Sequence, residues 1–168
     1  MNHSHADIVI PTTEPARPPS APHRAARLLG RGPGRLAAPA ARWAVSGLAL
    51  AGAALMVWSS VIHLQLWSDG YRSISVIGPL FLIQGIAGIA LALAMVVLRR
   101  AGLLAAGAAL LAGTAAGLLV SSAFGLFGFQ DSLAVPYAMT SLTVEFTGAA
   151  VLAAATGILL AARPRPGS

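Results

Sequence analysis

The sequence predicts an all-α protein: a four-transmembrane-helix bundle with a disordered N-terminal tail and with both termini in the cytoplasm. Of the 168 residues, 57% are hydrophobic and only 10% are charged, and the mean hydropathy is +0.77. Soluble domains contain about 25% charged residues, so a soluble globule of this composition would expose too much apolar surface. The apolar residues are also concentrated in four long runs, which indicates a membrane protein.

The first 42 residues have a different composition from the rest. They contain seven Pro and six Arg but few large hydrophobic residues. Such a segment buries too little apolar area to offset the entropy of ordering it. We therefore predict a disordered cytoplasmic tail over residues 1–42. A secretory signal is the alternative, but the next apolar run is long and lacks a short hydrophobic core with a cleavage site.

Each of the four apolar runs supplies the ~20 residues that cross a ~30 Å hydrocarbon layer as a helix. The second and third runs are joined by little more than Arg99 and Arg100, which predicts an antiparallel hairpin. The membrane domain is predicted over residues 43–163, followed by a short cytoplasmic tail over 164–168. The predicted helices lie at about 44–66, 75–98, 101–122 and 137–162.

The positions of the basic residues predict the orientation. All 11 are Arg: six precede the first helix, two lie in the hairpin, two follow the fourth helix, and only Arg72 falls on the opposite side. The positive-inside rule places the Arg-rich side in the cytoplasm. An Arg-only chain rich in Ala and Gly is typical of a GC-rich bacterial genome, so we expect the bacterial plasma membrane.

The same Arg residues are expected to attract anionic lipid headgroups of the bilayer. In a soluble protein, a formal net charge of +6 would suggest nucleic-acid binding. Membrane topology explains the charges here, so no nucleic-acid partner is predicted.

Three polar residues interrupt the apolar helices, and they form the candidate membrane site: His63, Gln84 and Glu145. Counted along the helices, Gln84 and Glu145 both lie about 12 Å below the outer boundary. Because side chains lean toward the N-terminus of their own helix, His63 leans inward and Glu145 leans outward, so they should converge. Two interpretations stay open: the cluster fixes the bundle through hydrogen bonds, or it binds a ligand or exchanges protons.

Stripes of small or polar residues follow the same faces of the predicted helices. On the third helix, Gly113, Gly117 and Ser121 form a small-xxx-small pattern that predicts close helix packing. The predicted outer loops add further candidates, which are Trp67, Asp69, Tyr71, Arg72 and Asp131. Within the first outer loop, Gly70 is expected to take a positive φ, and Arg72 to pair with an Asp or with lipid phosphate.

Several chemistries are excluded by the residues available. The absence of Cys excludes disulfides, thiolate metal sites and covalently attached haem. One membrane His cannot supply bis-His haem ligation, and His63 with Glu145 gives two of the three ligands that a hydrolytic metal needs. No catalytic residue, metal or cofactor is therefore predicted.

The stretch HLQLWSDGYRSISVIGPLFLIQG, residues 63–85, resembles a signature of uncharacterised four-helix integral membrane proteins of actinobacteria. The resemblance covers helices one and two with their loop, and it implies a fold and a membrane location but no activity. This chain has Ser75 where such proteins usually have Pro. The family-type residues that the resemblance implies are His63, Trp67, Gly70, Tyr71, Arg72 and Gly78.

For function, the sequence favours a non-enzymatic accessory or interaction protein with a polar outer-facing site. Its interaction partner would be another membrane protein or a second copy of the chain. The first alternative is a small proton-coupled transporter that uses Glu145, and the second is an enzyme of unknown chemistry.

Overall fold

A computed structural model describes residues 21–162, with side chains described from residue 25 onward. The parts of the predicted tails over residues 1–20 and 163–168 lie outside the described residues. Within the described range the chain is helical, and the predicted all-α fold class is confirmed. Residues 21–162 form five α-helices: α1 (Ala21–Leu29), α2 (Pro39–Ser68), α3 (Ile77–Leu98), α4 (Ala101–Phe124) and α5 (Ala138–Ala161).

Helices α2 to α5 are each long and apolar enough to cross a membrane. Helix α2 begins at Pro39, before the predicted start near residue 44, because proline fits the first helical turn, where its missing N–H has no partner to lose. Many large apolar side chains stay exposed on the outside of the bundle, as a lipid-facing surface requires. Examples are Ile83, Ile86, Leu93 and Val97, which are 61%, 59%, 63% and 78% exposed.

The four long helices alternate in direction. Helix α2 packs against α3 and α5, and α5 packs against α4, whereas α3 and α4 make few contacts with each other. We call the end that carries the α2–α3 and α4–α5 connections the loop end. The opposite end, where Arg99 adopts a left-handed conformation with φ 47° between α3 and α4, is the hairpin end.

Residues before α2 close the hairpin end. The N–H of Ala101 donates to the carbonyl of Arg31 at 2.8 Å, and Arg31 Nη1 donates to the carbonyl of Leu160 at 2.9 Å. Leu36, in the same segment, is buried in the core. Groups at the N-terminus of α4 and the C-terminus of α5 thus gain partners that their own helices cannot supply. Composition gave no sign of these contacts, so the sequence assigned this segment to the tail.

Glycines let the helices approach closely in the half near the hairpin end. A Cβ added at Gly107 would lie 2.8 Å from Met95 Sδ and 2.9 Å from a Leu152 methyl carbon. A side chain there would require Met95 and Leu152 to shift, and the hydrophobic cluster that surrounds Gly107 is closely packed. Its members include Val45, Ala49, Met56, Met95, Leu104, Leu111, Leu152 and Leu159.

Candidate functional site

The α2–α3 connection is a tight turn at the loop end. Gly70 has the positive φ that the sequence predicted, at 141°, and a 3-10 turn follows over Tyr71–Ser73. The start of α3 lies directly against this turn, because a Cβ on Gly78 would be 2.8 Å from the carbonyl oxygens of both Tyr71 and Arg72. The missing side chain at Gly78 therefore allows the turn to pack directly against α3.

The α4–α5 connection folds back over the same end. Ser121 Oγ accepts the N–H of Asp131 at 3.2 Å, and Leu126 and Phe129 exchange backbone hydrogen bonds. The Tyr71 hydroxyl donates to Asp131 Oδ1 at 3.4 Å, which joins the two connections. Burial raises the pKa of the Tyr71 hydroxyl, and the charge of Asp131 and this hydrogen bond raise it further.

The carboxyl group of Glu145 lies inside the bundle and is only 1% exposed. Its Oε1 accepts two hydroxyl donors, Ser59 Oγ at 3.0 Å and Ser141 Oγ at 2.9 Å. Its Oε2 is buried and has no hydrogen-bond partner among the described residues. Because Oε1 already accepts two hydrogen bonds, any proton that the carboxyl carries belongs on Oε2.

His63 is held beside this carboxyl by its own helix. Its Nδ1 lies 2.8 Å from the carbonyl oxygen of Ser59, which can only accept, so Nδ1 carries a proton. That leaves Nε2 as the nitrogen that can gain or lose a proton, and it lies 3.9 Å from Glu145 Oε1. The His63 ring contacts Phe81, with the ring centroids 4.9 Å apart. The structure thus brings the two predicted partners together without a direct short hydrogen bond.

Gln84, the third predicted member of the cluster, is buried with 6% exposure. Its Nε2 has no hydrogen-bond partner in the part of the chain that the structure describes, and the same holds for Ser60 Oγ. Buried polar atoms are nearly always paired, so unpaired ones indicate a place where a water molecule or a ligand binds. The three predicted residues therefore surround one site, although Gln84 bonds to neither of the others.

A cavity of about 430 Å³ occupies the half of the bundle near the loop end. His63, Gln84 and Glu145 all line it, with Tyr71 and Asp131 at the outer edge. The cavity lies between α3 and α4. Of the long helices that follow one another along the chain, these two contact each other least. Its lining is mostly apolar, with further contributions from Leu80, Phe81, Leu110, Thr114, Leu118, Phe129 and Val135.

Two of the glycines on α4 form part of this cavity, and the prediction of close packing at them is wrong. A Cβ added at Gly113 or at Gly117 would meet no atom within 4 Å. Both glycines line the cavity, so they widen it where side chains would fill it. Small residues have the same spacing in sequence whether a neighbouring helix packs against them or a gap lies there. The position of the neighbouring helix decides which of the two occurs.

The other predicted loop candidates lie outside the cavity. Trp67 is half-buried, and Asp69 and Arg72 are exposed. Among the side chains that the structure describes, Arg72 makes no ion pair with Asp69 or Asp131, and its pairing with lipid phosphate stays a prediction. Other groups bind the two carboxylates instead. The Ser68 hydroxyl donates to Asp69 Oδ1 at 3.3 Å, and the Tyr71 hydroxyl donates to Asp131 Oδ1.

The sequence analysis did not identify the two serines as partners of Glu145. Ser141 lies four residues before Glu145, and Ser59 lies four residues before His63. Side chains at this spacing lie one turn apart on the same helix face. That rule would have identified both serines. No three acidic or imidazole side chains among the described residues are grouped closely enough for a metal ion.

No protein-family model, curated protein or solved structure matches this chain. The class of protein therefore rests on the fold and the site. The chain is a multi-pass membrane protein, with four candidate spans among the residues that the structure describes. Its particular feature is a largely apolar cavity with a buried carboxyl group at its floor.

Proposed function

We propose that this chain is a non-enzymatic interaction protein of the bacterial plasma membrane that binds a small, largely apolar molecule with a polar group in the cavity near its loop end. The observation that carries the proposal is the pair of unpartnered buried atoms, Glu145 Oε2 and Gln84 Nε2, in residues that line one cavity. If the polar residues served only to fix the bundle, their polar atoms would be expected to pair with one another. A ligand would supply the missing partners.

The proposed orientation places the hairpin end in the cytoplasm and the cavity toward the outside. It is supported by the Arg residues of the described hairpin end, and by Arg72 as the single Arg at the loop end. The Arg-rich end would then contact anionic headgroups of the inner leaflet. Reporter fusions inserted at Arg99 should be cytoplasmic and at Gln130 external. External reporter activity at Arg99 would contradict this orientation.

Cavity binding can be tested by filling the cavity. Leucine at both Gly113 and Gly117 would project into open space without a clash, because nothing lies within 4 Å of either Cβ position. Gly47 and Gly157 offer a matched control, since they are equally unobstructed and do not line the cavity. The control variant carries leucine at both of those positions.

The probe is 1-naphthalenemethanol, a neutral molecule with one hydroxyl group on an apolar body. It is added to the purified protein in mild detergent. A ligand that binds only the folded protein raises its melting temperature. We expect a concentration-dependent rise in Tm for the natural protein and for the Gly47→Leu, Gly157→Leu control. The Gly113→Leu, Gly117→Leu variant should show none. An equal rise in all three proteins would contradict the proposal.

A small proton-coupled transporter that uses Glu145 is the second candidate function. The observation in its favour is the 3.9 Å approach of His63 Nε2 to Glu145 Oε1, which puts two proton-exchanging groups side by side within the bundle. In proteoliposomes, a transporter would move protons across the bilayer when a substrate gradient is applied, and Glu145→Gln would abolish that movement. Ligand binding with no proton movement would support the first proposal alone.

A further inference from the structure

Carboxyl groups outnumber the basic groups around the cavity. Two of its lining residues, all of which the structure describes, carry carboxyl groups: Glu145 at the floor and Asp131 at the outer edge. No Lys or Arg lines it, so the one lining side chain that can carry a positive charge is His63, whose Nε2 already lies 3.9 Å from Glu145 Oε1. A bound anion would have no Lys or Arg to pair with and would lie near two carboxyl groups. The lining therefore disfavours acids.

The floor of the cavity leaves one oxygen of Glu145 without a partner. The two serine hydroxyls bind Oε1, and His63 Nε2 lies 3.9 Å from the same oxygen, whereas Oε2 is buried and accepts no hydrogen bond from the described residues. A buried carboxylate needs a cation or further donors. A ligand ammonium group would supply both, because it carries a positive charge and several N–H donors. Gln84 can contribute as well, since rotating its amide presents oxygen in place of nitrogen.

One side of the cavity, here called the aromatic wall, carries the contacting rings of Tyr71, Phe81 and Phe129 between floor and edge. Tyr71 stacks on Phe81 with a centroid distance of 4.9 Å, and Phe129 meets the Tyr71 ring edge-on at 5.6 Å. Phe81 in turn contacts His63, next to Glu145. Aromatic faces attract cations and pack well against flat apolar molecules. The same wall therefore suits both parts of an amine that carries an apolar body.

We propose that the cavity selects organic cations, namely primary or secondary ammonium groups on a flat apolar body, with the ammonium seated at Glu145 Oε2. The inference rests on the proposed function and adds the chemical class of the ligand. The sparse contact between α3 and α4 gives such a molecule a route from the bilayer. The body would lie along the aromatic wall, and Asp131 would draw the cation toward the outer edge.

Three probes with the same apolar body and different charges test the preference for a cation separately from binding in the cavity. They are 1-naphthylmethylamine, 1-naphthalenemethanol and 1-naphthoate, which are cationic, neutral and anionic at pH 7. Apparent affinities come from the dependence of Tm on probe concentration in purified protein. We expect the amine to bind at least about tenfold more tightly than the alcohol, and the naphthoate to give no shift.

The Glu145→Gln variant removes the charge and keeps the shape of the side chain. We expect the preference for the amine over the alcohol to fall to within about threefold, with binding of the alcohol retained as evidence of a folded cavity. Glu145→Asp keeps the charge and should keep the preference. The comparison of the three probes on the natural protein decides the charge preference even if a variant does not fold.

The outcomes separate the two proposals. Equal binding of amine and alcohol, both lost in the Gly113→Leu, Gly117→Leu variant, would overturn the cation inference and leave the cavity as a binding site. An amine preference that persists in Glu145→Gln would overturn the assignment of Glu145. The absence of any shift with all three probes would overturn the proposed function itself.

Discussion

Helix α4 uses glycine in opposite ways in its two halves. At Gly107, toward the hairpin end, the helix is pressed against Met95 and Leu152 with no space for a methyl group. At Gly113, less than two turns later, the same helix faces open space in the cavity. The comparison teaches that a small residue marks either a contact or a gap. The packing of the neighbouring helix decides between them.

The polar atoms follow the same division. Among the buried residues described, the core near the hairpin end is apolar apart from Thr156, whose hydroxyl donates to the carbonyl of Leu152, whereas His63, Gln84 and Glu145 lie in the half with the cavity. Polar groups inside a bilayer are costly, so their concentration beside a cavity favours a role in binding over a role in holding the helices together. The tight half would then provide a rigid base for a site that is held open.

The largest expected effect comes from placing the same large side chain in the close-packed half and in the open half of α4. Gly107→Leu should destabilise the protein by about 1–3 kcal/mol or more, because the new side chain overlaps Met95 and Leu152 in a filled core. Gly113→Leu should change stability by less than about 0.5 kcal/mol, since it enters open space. Melting temperatures of both variants in one detergent give the comparison. Equal destabilisation would show that the halves are packed alike.

The next effect concerns the polar cluster in the open half. Glu145→Leu should destabilise the protein by about 1–3 kcal/mol, because the hydroxyls of Ser59 and Ser141 lose their buried acceptor. His63→Leu should also destabilise it, because the imidazole that bonds to the Ser59 carbonyl and lies beside the Glu145 carboxyl is removed. The double variant should lose less than the two single losses added together, by about 0.5 kcal/mol or more. Thermal unfolding of the four proteins completes the cycle. Strict additivity would mean that the 3.9 Å approach of the side chains carries no energetic coupling.

The smallest expected effect is a shift in titration at the outer edge of the cavity. Burial, followed by the charge and hydrogen bond of Asp131, raises the pKa of Tyr71. A group whose pKa is raised on folding stabilises the protein below its ordinary pKa, about 10, and that stabilisation is lost as the pH rises through the folded value. In a Tyr137→Phe background, Asp131→Asn should move the Tyr71 absorbance titration to lower pH. An unchanged midpoint would show that Asp131 does not act on Tyr71.

Much of this fold could be predicted from sequence, because the bilayer sets the length and composition of a spanning helix. The positive φ of Gly70 followed from local turn chemistry, and the approach of His63 to Glu145 from helix geometry. The cavity could not be predicted in this way. Gly113 and Gly117 have the spacing of a packing stripe, and their role depends on how far α3 stands from α4. Such a distance is set by tertiary packing and leaves no local pattern.

The segment before α2 illustrates the same limit. Arg31 belongs to a Pro- and Arg-rich stretch that sequence composition describes as a tail. Its carbonyl and guanidinium nevertheless bind Ala101 and Leu160 at the ends of two distant helices. Unsatisfied groups at helix ends create such partners, and only the assembled bundle determines which residue reaches them.

Thiol labelling tests most directly whether the half near the loop end contains an accessible cavity. The natural chain has no Cys, so a single Cys can be introduced without background. Gly117→Cys lies on the cavity side of α4, and the control Ala115→Cys lies on the same helix at a position that is 0% exposed. Both purified proteins are treated with N-ethylmaleimide, which reacts with the thiolate and therefore needs access to water.

We expect Gly117→Cys to be labelled rapidly, and the labelling to be suppressed when Gly113→Leu fills the space beside it. Ala115→Cys should stay unlabelled until the protein unfolds. If Gly117→Cys is as unreactive as Ala115→Cys in the folded protein, the loop-end half is as closely packed as the hairpin-end half and holds no accessible cavity.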